Sequence, residues 1–282
     1  MILTRFDYAR PASLGEATAL LEATGGLPLG GGQSLLVGLA TGETETPILV
    51  DLSAIAELRG ISSLPGGGLR IGASTTLSDL AADPAVLRLA PALAEAARAN
   101  DDAQVRNRAT VGGNLAADRS GPARATDLPV AALALGATVT LASSTGRRTV
   151  PAGELRTALT PGAVVVALEI PTGGELSAFE KSADRATRFP MCAVAVRLQR
   201  APSDGSVTSL RIAVTAATPS PLRLPGVEAR LAGGTKPSIR EVIAAFTAEP
   251  VTTFMAGRGS SAEYLRHIAG VLTGRAIHRT WI

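Results

Sequence analysis

Two glycine segments decide how this chain reads: Leu29-Gly30-Gly31-Gly32-Gln33-Ser34-Leu35 and, much further along, Gln104-Val105-Arg106-Asn107-Arg108-Ala109-Thr110-Val111-Gly112-Gly113-Asn114-Leu115. Glycine has no Cβ, so neighbouring backbone N–H groups can crowd together and approach phosphate oxygens. Gln33, Ser34, Thr110 and Asn114 add side-chain hydrogen-bonding groups beside them. Two such bends suit a grip on one pyrophosphate from both sides; alternatively, the glycines only make tight turns. Neither segment fits G-x-G-x-x-G, and the Walker A lysine is missing, so Rossmann and kinase readings lose support.

Around the first segment, element types alternate. Residues 2–8 read as a short strand. Ser13 with Glu16 forms a capping-box pattern ahead of the helical stripe Leu14, Ala17, Leu20 and Leu21, which Gly25-Gly26 ends. Residues 27–29 and 48–50 read as strands on either side of the glycine loop.

Beyond residue 55 the pattern predicts short strands at 60–63 and 69–72 and alanine-rich helices between 77 and 99. After the second glycine loop come an irregular stretch over 117–126, a helix over 128–135, and strands at 138–141, 148–150 and 164–170. Pro171-Thr172-Gly173-Gly174 punctuates the chain and is the expected domain boundary. Strands at 176–181, 193–198 and 210–214 are then followed by helices at 238–246 and 260–277, the last with Ser260 and Glu263 as a capping box. Strands followed by helices indicate an α+β arrangement.

Composition narrows the chemistry. The 282 residues are 46% hydrophobic and 18% charged, enough for a proper core in one composite domain or two. With 27 Lys+Arg against 24 Asp+Glu and no basic block interleaved with aromatics, nothing argues for nucleic acid. Cys192 is the only cysteine, and His267 and His278 are the only histidines. An iron–sulfur cluster or a structural zinc needs about four such ligands, so neither is expected here. Cys192 lies in an apolar strand-like run and reads as a buried thiol, and neither histidine sits in a triad-like arrangement, so no catalytic nucleophile or metal ligand is assigned. The region 1–11 carries Arg5, Asp7 and Arg10 where a signal peptide needs an apolar run. No stretch reaches the ~20 apolar residues of a bilayer span, and a soluble cytoplasmic protein is expected.

Four further positions carry alternatives. Asp127, before Leu128-Pro129, either caps the following helix or accepts hydrogen bonds from a cofactor hydroxyl. Arg106 and Arg108 belong either to a solvated loop or to a site for an acidic partner or phosphate. Phe179 is either core or an aromatic surface for a flat ring.

The first segment resembles the first flavin-phosphate loop of the FAD-binding medium subunits of the molybdenum hydroxylases, the xanthine dehydrogenase and aerobic carbon monoxide dehydrogenase group. The second is very similar to that family's second loop. Asp127-Leu128-Pro129, Ala134-Leu135-Gly136-Ala137, Leu168-Glu169-Ile170-Pro171 and the run from Tyr264 to Leu272 follow in the family's order, so the resemblance covers essentially the whole chain. Residues 116–127 depart from the family's A-x-A-D-P-A-x-D pattern and are longer and more basic.

The resemblance implies an α+β chain. A two-lobed FAD-binding domain of the PCMH or vanillyl-alcohol-oxidase type spans 1–172, with lobes of about 1–55 and 56–172. A smaller α/β C-terminal domain of the carbon monoxide dehydrogenase flavoprotein type spans 175–282. FAD is expected to bind non-covalently. Carried over by position, Gly30, Gly31, Gly32, Gln33, Ser34 and Leu35, with Thr110, Val111, Gly112, Gly113 and Asn114, hold the pyrophosphate. Asp127 contacts FAD, Val165 packs on it and Lys181 lies near it; the segment after Phe179 matches the family loosely, and Phe179 is taken, apart from that carry-over, as the aromatic expected against the ring. The implied partners are an iron–sulfur small subunit and a molybdopterin large subunit in a dimer of heterotrimers, with electrons leaving the flavin for an external acceptor. Two other readings stand beside this one: a scaffold or assembly subunit that kept the fold without flavin, and a stand-alone flavin oxidoreductase.

Overall fold

The computed structural model describes residues 5–100, 102–117, 125–257 and 259–281. A small parallel sheet comes first, from β1 (Asp7–Ala9), β2 (Leu27–Leu29) and β3 (Ile48–Asp51), ordered β1-β3-β2. Helix α1 (Leu14–Thr24) starts where the Ser13 hydroxyl accepts the Glu16 N–H at 3.2 Å. It ends at Gly25, in the left-handed region at φ 66°, whose N–H reaches Leu21 O. The expected capping box is only half made, because the Glu16 carboxylate turns to the Ala12 N–H at 3.0 Å. Helix α2 (Leu35–Thr41), which the sequence reading missed, follows the first glycine segment directly. Ends of parallel strands gather at one edge; there Leu29, paired with Asp51, hands the chain to Gly30.

The second sheet is antiparallel. It contains β4 (Ile61–Ser63), β5 (Leu69–Gly72), β6 (Thr138–Ser143), β7 (Gly146–Pro151) and β8 (Val164–Ile170) in the order β4-β5-β8-β6-β7. Between β5 and β6 run α3 (Leu77–Ala82), α4 (Pro84–Leu89), α5 (Pro91–Arg98), α6 (Ala103–Arg106), α7 (Val111–Ala117) and α8 (Leu128–Leu135), and α9 (Leu155–Ala158) follows β7. Strand β8 is buried on both faces, which is why it reads as a continuous apolar run. Val164 and Val166 join Leu14, Leu21 and Val50 in one core; Val165, Leu168 and Ile170 join the larger core of α3–α8.

The third sheet, ordered β12-β11-β10-β9, comprises β9 (Ser177–Ala183), β10 (Pro190–Arg200), β11 (Val207–Thr215) and β12 (Leu222–Arg223). Helices α10 (Pro225–Leu231), α11 (Ile239–Thr247) and α12 (Ala262–Arg279) complete this part; α10 was not anticipated. Ser261, not Ser260, caps α12 by accepting the Tyr264 N–H, because Ser260 is held in a backbone bridge with Gly257. Alternation along β10 serves two cores. Cys192, Val194 and Val196 pack with α11 and α12, whereas Ala193 and Ala195 share the core of α5 and α8. Small side chains on that second face let α8 lie close to the sheet. Burial pushes the Cys192 thiol up to about 12.

Arginines from the third sheet hold the far end of α8. Arg197 donates to the carbonyls of Leu135 at 2.9 Å, Thr172 at 2.8 Å and Gly173 at 2.7 Å, and Arg211 donates to Leu133 O at 3.2 Å. Burial lowers the pKa of both guanidinium groups.

Arg197→Ala leaves three carbonyls without their donor and is expected to cost about 2 kcal/mol of stability, read from denaturant unfolding; an unchanged midpoint contradicts the clamp. Iodoacetamide is expected to leave Cys192 unlabelled in the native protein at mildly alkaline pH and to label it fully in urea.

Candidate functional site

The structure brings the two glycine segments into direct contact. A Cβ on Gly31 would overlap the Arg108 carbonyl oxygen, and one on Gly30 would lie 2.7 Å from the Thr110 hydroxyl. Thr110 is buried between them: its Oγ accepts the Gly113 N–H at 3.2 Å, and a Cβ on Gly113 would come within 2.9 Å of it. Gly32, at φ 77°, makes the left-handed turn that releases the chain into α2. The second segment is anchored from below. Leu77 N–H donates to Ala109 O and Val111 N–H to Thr75 O, both at 2.9 Å, while Gly112 N–H donates to Ala73 O at 2.8 Å.

This contact alters the expected picture. The second segment is not a loop: Val111, Gly112, Gly113 and Asn114 begin helix α7, and the Asn114 N–H closes on Thr110 O at 2.8 Å. The N–H groups of Val111, Gly112 and Asn114 are therefore already bonded to main-chain carbonyls, and that of Gly113 to the Thr110 hydroxyl. What the seam offers outward is the first segment, where Gly30, Gln33 and Ser34 are exposed and Gly31, Gly32 and Leu35 half-buried, together with the exposed Gly113. Gln33 Nε2 leans back toward Gly31 O at 3.4 Å, and the Ser34 side chain makes no cap bond to α2. From Leu29 to Leu35 and from Arg108 to Asn114 there is no acidic residue. An exposed amide-rich seam without carboxylates fits a dianionic diphosphate.

A second group of predicted residues meets beside it. Asn114 Oδ1 accepts the Leu128 N–H at 3.1 Å, and its carbonyl accepts the Thr126 hydroxyl at 2.7 Å, so α7 is tied to the start of α8. Asp127 occupies the cap position of α8 without a side-chain cap bond; Asn114 does that work, and the Asp127 carboxylate instead takes Lys181 Nζ at 2.8 Å. Lys181 also donates to Ala99 O at 3.2 Å, and both side chains of the pair are about nine-tenths buried. Lys181 sits on β9, so the third sheet touches the site here.

Other expectations fall elsewhere. Val165 is buried in β8 within the larger core. Phe179 is core as well, 4% exposed, with its N–H on Glu95; β9 is buried on both faces at that point, which removes it as an aromatic surface. The exposed aromatic of the same hairpin is Phe189, which the sequence reading passed over. Arg106, on the short helix α6, donates to Asn100 O, whereas the Arg108 side chain is exposed. Most of the segment that departs from the family pattern, residues 118–124, lies outside the described residues. Among the described residues, no helix is long and apolar enough to cross a membrane.

A two-lobed α+β unit followed by a sheet-and-helix unit is the architecture of the molybdenum-hydroxylase flavoproteins. The family described as the FAD binding domain in molybdopterin dehydrogenase matches residues 4–173, and that of the CO dehydrogenase flavoprotein C-terminal domain matches residues 177–280. The carbon monoxide dehydrogenase medium chain of Hydrogenophaga pseudoflava is 36% identical over 100% of this chain and 99% of its own length. Among solved structures, the carbon monoxide dehydrogenase of that organism which lacks the Mo-pyranopterin moiety superposes with a TM-score of 0.89 at 34% identity, covering 100% of this chain and 99% of the other. Quinoline 2-oxidoreductase from Pseudomonas putida 86 gives 0.88 at 29% identity, covering 99% and 98%. The chain belongs to the family of FAD-binding medium subunits of the molybdenum hydroxylases.

Removing one partner of the buried Asp127–Lys181 pair leaves the other charge uncompensated. Lys181→Met is expected to cost about 3 kcal/mol, and adding Asp127→Asn to recover a good part of it. Strictly additive losses in a double-mutant cycle count against the coupling.

Proposed function

We propose that this chain is the FAD-carrying electron-transfer subunit of a molybdenum hydroxylase. The observation that carries the reading is the seam at Gly31 and Arg108, where two segments distant in sequence meet in one carboxylate-free, partly exposed surface. In this reading FAD binds non-covalently with its diphosphate along Gly30, Gly31, Gly32, Gln33, Ser34 and Leu35. Thr110, Val111, Gly112, Gly113 and Asn114 back that surface: Thr110 and Asn114 fix its shape, and Gly113 faces outward. Asp127, fixed by Lys181, stands beside the cofactor, and Val165 supports the site from within the core. Phe189, the exposed aromatic of that hairpin, is proposed in place of the buried Phe179 as the side chain beside the flat ring.

When bound, FAD supplies the redox chemistry; the residues here bind, orient and shield it. An iron–sulfur small subunit is the proposed electron donor, a molybdopterin large subunit the site of substrate hydroxylation, and the complex a cytoplasmic dimer of heterotrimers. The medium-chain relatives are by name parts of multi-subunit enzymes, which supports partners without fixing which ones. The electron acceptor lies outside this chain.

The purified chain is expected to be yellow, or to become so on adding FAD, and to release FAD on heating. Gly31→Val is expected to abolish FAD retention while circular dichroism stays native-like, because the valine displaces Arg108 and opens the seam. A colourless chain that takes up no FAD overturns the reading.

A further inference from the structure

The surface at the seam is neutral, whereas the diphosphate proposed to lie on it carries about two negative charges, and a charge-assisted bond from a cation at its edge would strengthen a hold made by amides alone. The segment from Leu29 to Leu35 contains no Lys or Arg. Lys181 is committed to Asp127 at 2.8 Å and to Ala99 O. Arg106 is turned to Asn100 O. Arg108 differs from all of these. Its main chain is pinned at the seam, with its carbonyl oxygen against Gly31, while its side chain is exposed and has no hydrogen-bond or ion-pair partner among the described residues.

We infer that Arg108 is the cationic ligand of the dinucleotide's diphosphate, a role that rests on the FAD reading above. The position suits the task. The backbone of Arg108 cannot drift from the first glycine segment without breaking the Gly31 contact, so its Cα is held at the seam, from which a long side chain can swing over the exposed first segment. A planar guanidinium can place two parallel N–H bonds on phosphate oxygens, which an ammonium group cannot. Among the described residues the side chain has no partner to give up before it turns toward the ligand. The main chain is thus placed in advance, and binding has only to order one side chain.

The test is FAD titration of the flavin-depleted chain, followed by quenching of flavin fluorescence at low and high NaCl. Arg108→Gln is expected to raise the Kd by about tenfold, as for loss of a charge-assisted pair, and to flatten its salt dependence; Arg108→Lys is expected to restore the salt dependence and only part of the affinity. The melting temperature of the flavin-free Gln variant is expected to match wild type. An unchanged Kd in Arg108→Gln overturns the inference, as does a weakened Kd whose salt dependence is intact. A wild-type chain that binds no FAD at all is a different result: it overturns the parent reading and this one with it.

Discussion

The carbonyl oxygen of Arg108 occupies the space that any side chain at position 31 would need. That single steric condition joins two parts of the chain with separate local origins. The first glycine segment issues from the end of β2 in the parallel sheet; the second is fixed to residues 73–77 at the edge of the antiparallel sheet. Each alone is an ordinary turn or helix start. Together they make one seam, in which the first segment is exposed over the start of α7 and the Thr110 hydroxyl is wedged between Gly30 and Gly113. The glycines let backbone meet backbone, and the phosphate site proposed above depends on that contact.

The third sheet completes the arrangement through α8, whose two ends it holds by different chemistry. At the N-terminal end Lys181 takes the Asp127 carboxylate, and at the C-terminal end Arg197 and Arg211 take main-chain carbonyls. Cations near helix carbonyls also complement the negative end of the helix dipole. Arg279 of α12 adds ion pairs to Glu95 on α5 and Glu180 on β9. A buried pair such as Asp127–Lys181 is poor evidence of net stability, since desolvation offsets much of its attraction; what it provides is a fixed register between β9 and the start of α8, next to Asn114.

Elements with strong local signals were legible in the sequence. Ser13 and Gly25 mark α1, Gly136 ends α8, and the apolar run of β8 announces a strand buried on both faces. Helices α2 and α6, of seven and four residues, are too short to display a helical period, and Gly112-Gly113-Asn114 gives α7 the composition of a loop; α7 holds through the burial of Val111 and Leu115 and the tie from Asn114 to Leu128. The Ser260 cap was misplaced by one residue because a backbone bridge, invisible in sequence, claims that serine. Site residues were legible as types and not as partners. Nothing local reveals that Lys181 reaches Asp127, that Arg106 turns inward while Arg108 stays out, or that Phe179 faces a core shared with α5. The family resemblance supplied the cofactor class, and the long-range packing supplied the reason for the spacing.

The central claim is that both glycine segments, acting as one surface, hold the diphosphate. Amide hydrogen exchange of the chain with and without saturating FAD tests it most directly. The account predicts that exchange slows in both segments at once, around Gly30 to Leu35 and around Gly113, with the parallel-sheet strands β1 and β3 little changed. Stoichiometric FAD binding that leaves both segments exchanging as before, or protects only one of them, contradicts it.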